Sequence, residues 1–575
     1  MSELGKPWFE RCPELLNWEL KRFNKWRIDV EIDAEEQDRG RLVARCELTM
    51  AGKPVPIEVH YPSEYPELPP LIVGPPGLME RHQHRFGGSF CLLARPLDDW
   101  PAEKWGAADL IGERLTALIQ DTEEGPAAIR AAEEPMPEPV STYYRTANDA
   151  AVLIPEGLEP TGDEHGTLVV RLVTPHLSLV VGTGSERLDE EIAALFPGAK
   201  ELPVPWVRLA KAPPIGPDGA AVADWLKREH PDLLARDLPP RLRNSSRIPP
   251  PPPLELCCLV FPEEGPEVGE FHDGYLFLHI HRDQAGHRRE ALVSAQRLSA
   301  DEHARRAPEL SGLEHCQVLV VGLGTLGGDI AVELAKAGVG TLDLVDFDSL
   351  EFGNLLRHRL SLEYLGLPKV QGVATAARRA NPFCAVTARH LQLGSVKWED
   401  ESPLSQLAEA VKEADIIVEA SGSHQIAQVI GRLCALSDTP MVSTWLTEGF
   451  FGGEVVRIHP GRTMCWTCFA TAQRDGSLLS AQSGPPSQVA ALGCSHPTTA
   501  GAGFDALEAA AVATRLTVQT MAPSGGYPEC DWDHAVLNFR GAPQDAKAPR
   551  FAVEVLPPQE DCEQCRASAG SALKR

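Results

Sequence analysis

The sequence predicts a multidomain α/β protein whose C-terminal part is a Rossmann-like domain. Its length of 575 residues indicates three or four domains. A glycine-rich loop, "GLGTLGG", stands between an apolar run and a helical pattern. Beyond it, short apolar runs alternate with helical segments. Such alternation is typical of a largely parallel sheet that is covered by helices on both faces.

The composition predicts a soluble globular protein of the cytoplasm. Hydrophobic residues make up 43% of the chain and charged residues 23%. There is no apolar run of about 18 residues that would predict a membrane span, and the N-terminus lacks the features of a secretory signal. The net charge of −27 argues against nucleic acid or an anionic membrane as the main partner. We therefore expect a protein or a small molecule as partner.

The first block, residues 1–132, is predicted to be an α+β domain. Helical patterns stand near its start and its end, with strand-like runs between them. The predicted elements are the helix Pro13–Trp26, the strands Trp26–Ile32, Arg41–Met50 and Pro54–His60, and the helix Ala107–Ile119. An acidic, proline-spaced segment, Glu133–Pro139, is predicted to be a linker.

The second block, residues 140–295, is predicted to be a mixed α/β connector. Its apolar runs, such as Leu168–Val173 and Leu177–Val181, are short. The block contains no recognisable set of catalytic residues. We expect it to act as a spacer or a packing module.

The third block, residues 297–575, contains the βαβ unit. The pattern predicts a strand at Gln317–Val321, then the glycine loop, a helix at Gly328–Ala337 and a strand at Thr341–Val345. Further strands are predicted at Asp415–Glu419 and Met441–Thr444.

The glycine loop predicts a nucleotide site. Gly322, Gly324 and Gly327 have the GxGxxG spacing, which permits a tight turn and a close approach of the backbone to phosphate groups at a helix N-terminus. Asp346 ends the next strand and suits a ribose hydroxyl. The motif alone leaves open whether the ligand is a dinucleotide or ATP.

The segments "DFDSLEFGNLLRHRL" and "GLPKVQG" resemble the ATP-binding segment of the ubiquitin-activating enzyme superfamily, which includes ThiF/MoeB-type enzymes that adenylate sulfur-carrier proteins. The resemblance implies ATP and Mg²⁺ as cofactors. The residues that it assigns to the nucleotide are Asp346, Asp348, Asn354, Arg357 and Lys369. Arg357 and Lys369 would act as catalytic cations that neutralise the triphosphate, and Asn354 would donate a hydrogen bond to it.

Two features depart from the family pattern. The family carries an acid for magnesium after the later strand, where "IIVEASGSH" has Gly422 and Ser423 instead. Glu419 and Asp348 both remain candidates for the metal ligand. The family also uses an arginine that reaches across from the partner protomer. The candidates for it are Arg297, Arg305 and Arg306.

Four cysteines in two CxxC pairs have the spacing of a structural zinc site. The pairs are Cys465 with Cys468, and Cys562 with Cys565. In a reducing compartment such pairs favour metal binding over a disulfide, and the same pairs occur in the adenylating family. A Zn²⁺ ion bound by all four would clamp the C-terminal tail to the domain. The alternative is a set of redox thiols or unpaired core cysteines.

Cys494 is a candidate nucleophile. It follows a segment rich in glycine, serine and proline, and it precedes a helix predicted at Phe504–Met521. A thiol near a helix start is more nucleophilic, and His496 could help to hold the thiolate. In the resembled family, a cysteine on such a crossover loop takes the acyl group from the adenylate. The alternative is a small buried cysteine.

Three segments of the first block, "HYPSEYPELPPLIV", "GGSFCLL" and "DDWPAEKWGAADLI", resemble the active-site region of ubiquitin-conjugating enzymes. The resemblance covers roughly residues 15–120 and places Cys91 at the catalytic position. The His-Pro-Asn triplet of that family, whose Asn helps to stabilise the oxyanion, is absent, and the region reads "ERHQHRFGG". His82 or His84 either replaces that Asn or orients the loop.

Together the two resemblances imply a relay. The C-terminal carboxylate of a modifier protein would be adenylated, captured on Cys494, passed to Cys91 and conjugated to a target lysine. The pattern resembles the fusion proteins of bacterial CBASS anti-phage operons, in which a CD-NTase-type nucleotidyltransferase is passed along, and it implies a homodimer. The alternatives are an activator of a sulfur carrier, for which Cys91 is dispensable, and a scaffold that binds nucleotide without turnover.

Overall fold

In a computed structural model the chain forms two compact units. The first lies within residues 1–183 and 200–296, and the second is formed mainly by residues 297–575. The first two sequence blocks therefore share one unit. The domain boundary expected between residues 132 and 140 stays a prediction. The structure describes residues 6–50, 52–79, 81–119, 137–158, 160, 164–174, 177–181, 199–214, 216–231, 255–265, 268–282, 287–395, 401–484, 488–489, 498–540 and 550–565.

The first unit begins with a four-stranded antiparallel sheet and several helices. The strands, in sheet order, are β1 (Val30–Ile32), β2 (Leu42–Met50), β3 (Lys53–Tyr61) and β4 (Leu71–Val73). The helices are α1 (Trp8–Arg11), α2 (Pro13–Lys25), α3 (Ala34–Asp38), α4 (Pro96–Asp99) and α5 (Ala107–Asp109), which continues as the π-helical turn Leu110–Leu115. The predicted helices and strands are confirmed, except that the first strand begins only at Val30.

A buried carboxylate connects α2 to α5. Asp109 is 2% exposed, and its oxygens accept hydrogen bonds from Arg22 at 3.0 Å and from the indole N–H of Trp26 at 2.9 Å. The backbone N–H of Gly106 donates to it at 2.8 Å. A charge is tolerated at such a depth only when it is paired and hydrogen-bonded. Asp109 therefore fixes the position of α2 against the C-terminal helix of the domain.

The second block folds mainly into a closed β-barrel, and the expectation of a mixed α/β connector is replaced by this finding. Its seven strands are β5 (Thr146–Pro155), β6 (His165–Thr174), β7 (Leu177–Val181), β8 (Lys200–Arg208), β9 (Glu255–Glu264), β10 (Phe271–Arg282) and β11 (Arg288–Leu298). Around the barrel their order is β10, β11, β5, β7, β6, β8, β9. The interior packs around Trp206 and Phe277. Helix α6 (Gly219–Glu229) covers part of the outside through Leu226.

The second unit contains an eight-stranded sheet. Its strands are β12 (Gln317–Val321), β13 (Thr341–Asp346), β14 (Ala385–His390), β15 (Ile416–Glu419), β16 (Met441–Leu446), β17 (Gly452–Ile458), β20 (His534–Asn538) and β21 (Arg550–Glu554), and β18 (Gln488–Val489) and β19 (Thr498–Thr499) pair separately. The sheet order is β14, β13, β12, β15, β16, β17, β20, β21. The first five strands are parallel and the last three are antiparallel. The predicted parallel sheet is thus confirmed, with an antiparallel extension.

Helices lie on both faces of this sheet. They are α7 (Ala300–Ala304), α8 (Thr325–Lys336), α9 (Lys369–Ala380), α10 (Pro403–Glu413), α11 (His424–Ser437), α12 (Trp466–Arg474) and α13 (Gly503–Met521). Two apolar cores result, one on each side of the strands. None of the helices within the described ranges is both long enough and apolar enough to cross a membrane.

We predict that Asp109→Ala lowers the local stability of the first unit by about 3–5 kcal/mol, because it leaves the guanidinium of Arg22 without its buried partner. Amide hydrogen exchange, read on peptides from α2 and β2, measures the change. Glu113→Ala is the control, since Glu113 lies exposed on the same helical segment and should change stability by less than about 0.5 kcal/mol. Equal protection in the two variants would contradict the role of Asp109.

Candidate functional site

The glycine loop joins β12 to α8 in a turn that leaves no room for a side chain at Gly322 or Gly327. Gly322 has φ +84°, and a Cβ there would lie 2.6 Å from the backbone of Ser421. A Cβ on Gly327 would lie 1.8 Å from the carbonyl oxygen of Gly322. Around Gly324, in contrast, a Cβ would meet no atom within 4 Å. The loop is therefore tight on its protein side and open on the side where a ligand could approach the helix N-terminus.

Asp346 connects this loop to the next strand. It is the last residue of β13, and its Oδ2 accepts the backbone N–H of Leu323 at 2.6 Å. Its Oδ1 accepts the N–H of Asp348 at 2.7 Å. The carboxylate thus lies at the carboxyl ends of two neighbouring parallel strands, which is the usual position of a nucleotide site in an open α/β sheet.

Two of the predicted cations lie in partly buried positions. Lys369 is the first residue of α9 and is 8% exposed. Its ammonium group pairs with Asp348, whose carbonyl also accepts the Lys369 N–H at 2.8 Å. The guanidinium of Arg357 lies 5.4 Å from the centre of the Phe450 ring, and burial lowers its pKa. Both cations are thus held in fixed surroundings.

The turn that carries Arg357 also contacts the glycine loop through His358, to which the sequence analysis gave no role. Nε2 of His358 donates to the carbonyl of Leu323 at 2.8 Å, and Nδ1 accepts the N–H of Leu360 at 3.1 Å. Burial is the largest cause that lowers the pKa of His358, so the neutral ring with hydrogen on Nε2 fits both bonds. Asn354, in the same turn, accepts the N–H of Glu351 at 3.0 Å.

The two carboxylates considered for magnesium differ in their surroundings. Glu419 is 2% exposed, and its oxygens accept the hydroxyl of Ser443 at 2.5 Å and the N–H of Ser421 at 2.9 Å. Burial raises the pKa of Glu419. The side chain of Asp348 is 53% exposed beside Lys369. Only Asp348 of this pair offers an accessible carboxylate.

The four paired cysteines converge, as the sequence predicted. The Sγ atoms of Cys465 and Cys562 are 3.8 Å apart, those of Cys468 and Cys565 are 3.9 Å apart, and all four lie within 4.8 Å of one another. Ligands at about 2.3 Å from a tetrahedral zinc ion are separated by about 3.8 Å. The arrangement therefore has the dimensions of a metal site, and it would tie the C-terminal segment to the start of α12.

Cys91 lies exposed on the loop that follows β4. Its backbone N–H donates to the carbonyl of His82 at 2.8 Å, and its Sγ is 3.8 Å from the carbonyl of Leu93. His84 acts within the same loop, because its Nδ1 accepts the N–H groups of Phe86 at 3.2 Å and Gly87 at 2.9 Å. Of the two roles considered for this histidine, the geometry favours orientation of the loop.

Other predicted residues are placed as follows. Arg305 pairs with Glu302 at 3.1 Å, and Arg297 and Arg306 are exposed near the start of the second unit. Cys494 and His496 lie outside the described residues. The helix predicted after them is present as α13.

Comparisons with known proteins relate parts of this chain to a family and to several relatives. Residues 300–555 match the ThiF family. Over 544 residues the chain is 28% identical to uncharacterized protein y4oA of Sinorhizobium fredii, a match that covers 89% of this chain and 90% of y4oA. Over 153 residues it is 33% identical to the sulfur carrier protein ThiS adenylyltransferase of Escherichia coli, which covers 26% of this chain and 57% of that enzyme. The crystal structure of E. coli MccB with succinimide matches at 17% identity and a TM-score of 0.33, over 45% of this chain and 69% of MccB.

The C-terminal region is therefore a ThiF/MoeB-type adenylation domain. It contains the glycine loop, Asp346, Arg357 and Lys369 described above. The match to y4oA, which extends over most of the chain, includes the first unit as well.

We predict that three neighbouring glycines respond differently to alanine. Gly324→Ala should fold normally but bind ATP at least about tenfold more weakly, about 1.4 kcal/mol, because a methyl group would occupy the open side of the loop. Gly327→Ala should lose both binding and stability, since its Cβ overlaps the Gly322 carbonyl. Gly328→Ala is the control, because its Cβ would meet His358 only at 3.5 Å.

Titration calorimetry measures the ATP affinity of each variant, and thermal unfolding measures its stability. Wild-type ATP affinity in Gly324→Ala would show that no ligand approaches the loop there.

Proposed function

We propose that this chain activates the C-terminal carboxylate of a modifier protein by ATP-dependent adenylation. The observation that carries the proposal is the site at the carboxyl ends of β12 and β13. There the glycine loop is bonded to Asp346 and, through His358, to the turn of Arg357. This site lies inside the region that matches the ThiF family.

Each group of the site has a task in this reaction. A carboxylate oxygen of the modifier forms a bond to the α-phosphorus of ATP, and pyrophosphate leaves. The N-terminus of α8 would face the phosphates, and Lys369 and Arg357 would neutralise the negative charge that accumulates on them. Asp348, being exposed, is the residue that would hold Mg²⁺, which would screen the phosphate charge when bound.

Two thiols would then carry the acyl group. We assign capture from the adenylate to Cys494 and the second thioester to Cys91, from which a target lysine takes the acyl group as an isopeptide. The exposure of Cys91 supports its part, as does the order of a helix, a four-stranded sheet and the cysteine loop in the first unit. Joining both activities in one chain raises their effective concentration.

The remaining assignments belong to the same proposal. A homodimer would supply one of Arg297, Arg305 or Arg306 across its interface. The modifier would be a protein such as a CD-NTase-type nucleotidyltransferase, and the setting would be CBASS anti-phage defence in the cytoplasm. Each of these rests on the resemblance of the sequence to the bacterial fusion proteins.

A second candidate is activation of a sulfur-carrier protein. The similarity to the ThiS adenylyltransferase favours it. Both candidates share the adenylation step, and they differ in whether Cys91 takes part.

We predict the following for the relay, measured as intact mass after co-expression with the proteins encoded beside the gene. The wild type carries an adduct that reductant removes. Cys494→Ala carries none, because no adenylate is captured, whereas Cys91→Ala retains the adduct on Cys494 but forms no isopeptide product. Cys12→Ala, which alters another exposed cysteine of the first unit, behaves as the wild type. Product formation that is indifferent to Cys91 would favour the sulfur-carrier candidate.

We also propose that the four cysteines bind one structural Zn²⁺ ion, since their spacing suits it. Elemental analysis of purified protein should give one zinc per chain. Cys562→Ser should lose the ion and expose the C-terminal segment to protease, because this residue comes from that segment. Cys12→Ser should keep it. Full zinc content in Cys562→Ser would refute the site.

A further inference from the structure

The segment that precedes the barrel places a carboxylate beside the loop of Cys91. Glu138 lies just before the short 3-10 helix Val140–Tyr143. Its Oε1 accepts the backbone N–H of His82 at 2.8 Å, and the carbonyl of the same His82 accepts the N–H of Cys91 at 2.8 Å. The backbone of His82 therefore links Glu138 to Cys91 through two hydrogen bonds, although Glu138 and Cys91 are far apart in sequence.

Glu138 is held in place from several sides. The hydroxyl of Tyr143 donates to its Oε2 at 3.0 Å. Its own N–H donates to Glu264 at 2.7 Å, and Glu264 is bound through both oxygens by Arg81 at 2.9 and 3.0 Å. The carboxylate is nevertheless 19% exposed. It is thus fixed in orientation and still reachable from solvent.

The charges around Glu138 leave the site negative. Arg81 pairs with Glu264, and the imidazole of His82 lies with its Nδ1 3.6 Å from Oε1 of Glu138. With that imidazole neutral, Glu138, Glu264 and Arg81 together carry one net negative charge. Burial first, then the charge of Glu138, and in smaller measure Cys91 raise the pKa of Tyr143, so its phenol stays protonated and remains a donor. A negative site within electrostatic range of the thiol suits the approach of a cation.

We propose that Glu138 is the residue that receives the target amine at Cys91, an inference that rests on the proposed function. Glu138 binds the ammonium group of the lysine and accepts its proton. The neutral nitrogen then attacks the thioester carbon, a C–N bond forms and the C–S bond breaks. The second proton that the nitrogen loses passes to the departing sulfur, so that Cys91 leaves as a thiol. The segment that carries Glu138, which the sequence predicts to be a linker, would thereby supply part of the transfer site.

The test uses the full chain with Cys494→Ala, charged at Cys91 with an N-acetylglycyl thioester, a minimal mimic of a carrier C-terminus. Peptide mapping, with Cys91→Ser for comparison, locates the acyl group. Discharge, the transfer of the acyl group from Cys91 to an added nucleophile, is then measured with two nucleophiles. Lysine is cationic at neutral pH, and hydroxylamine is uncharged there. Glu138→Gln preserves the size of the side chain and an oxygen acceptor. Glu263→Gln is the matched control, since Glu263 is a neighbouring carboxylate that accepts the N–H of Ser141 at 3.0 Å, whereas Glu138 accepts that of His82.

We expect Glu138→Gln to slow discharge to lysine at least about tenfold and to change discharge to hydroxylamine by less than twofold. Glu263→Gln should change neither. An equal loss with both nucleophiles would show a purely structural role for Glu138, and unchanged discharge to lysine would exclude any role. Both results overturn the inference and leave the proposed function standing. Failure of Cys91 to accept the acyl group in every variant would count against the transfer function itself.

Discussion

The backbone contact between Gly322 and Gly327 is the constraint on which the adenylation site depends. Because Gly327 has no side chain, the first turn of α8 can lie against the carbonyl oxygen of Gly322 at the end of β12. That proximity brings the N–H of Leu323 to Asp346 at 2.6 Å and its carbonyl to His358 at 2.8 Å. The backbone of one loop residue, Leu323, therefore contacts both the strand-end acid and the turn that carries Arg357.

A comparable arrangement positions Cys91 in the first unit. There His82 is the central residue, since its N–H binds Glu138 and its carbonyl binds the N–H of Cys91. In both places a carboxylate accepts a backbone N–H of the functional loop, a charge-assisted bond that is shorter and stronger than a neutral one. In both places, main-chain hydrogen bonds thus hold the loop that carries the candidate functional side chain.

The sequence was informative where the determinants are local. The strand, glycine loop and helix of the βαβ unit follow from spacing within about twenty residues. The four cysteines could be grouped because their chemistry is specific even across 97 residues.

The barrel was missed because its closure depends on pairings between distant strands, such as β5 with β7 and β8 with β9. His358 was missed because its bond to Leu323 joins residues 35 apart. Glu138 was missed because it lies in the predicted linker, 56 residues beyond His82, whose N–H it accepts.

Two buried carboxylates of the barrel receive hydrogen bonds from outside the barrel strands. Glu263 and Glu264 are consecutive in β9 and both are buried, at 7% and 5% exposure, an arrangement that carries a large desolvation cost unless each oxygen is bonded. Burial alone would raise the pKa of Glu264, but the N–H of Glu138 and the guanidinium of Arg81 hold it below its usual value. The donors that compensate this cost are the N–H groups of Glu138 and Ser141, the guanidinium of Arg81, and the N–H of Gly269 within the barrel. The buried charges of β9 are therefore stabilised in part by the segment that carries Glu138 and by the residue that precedes His82.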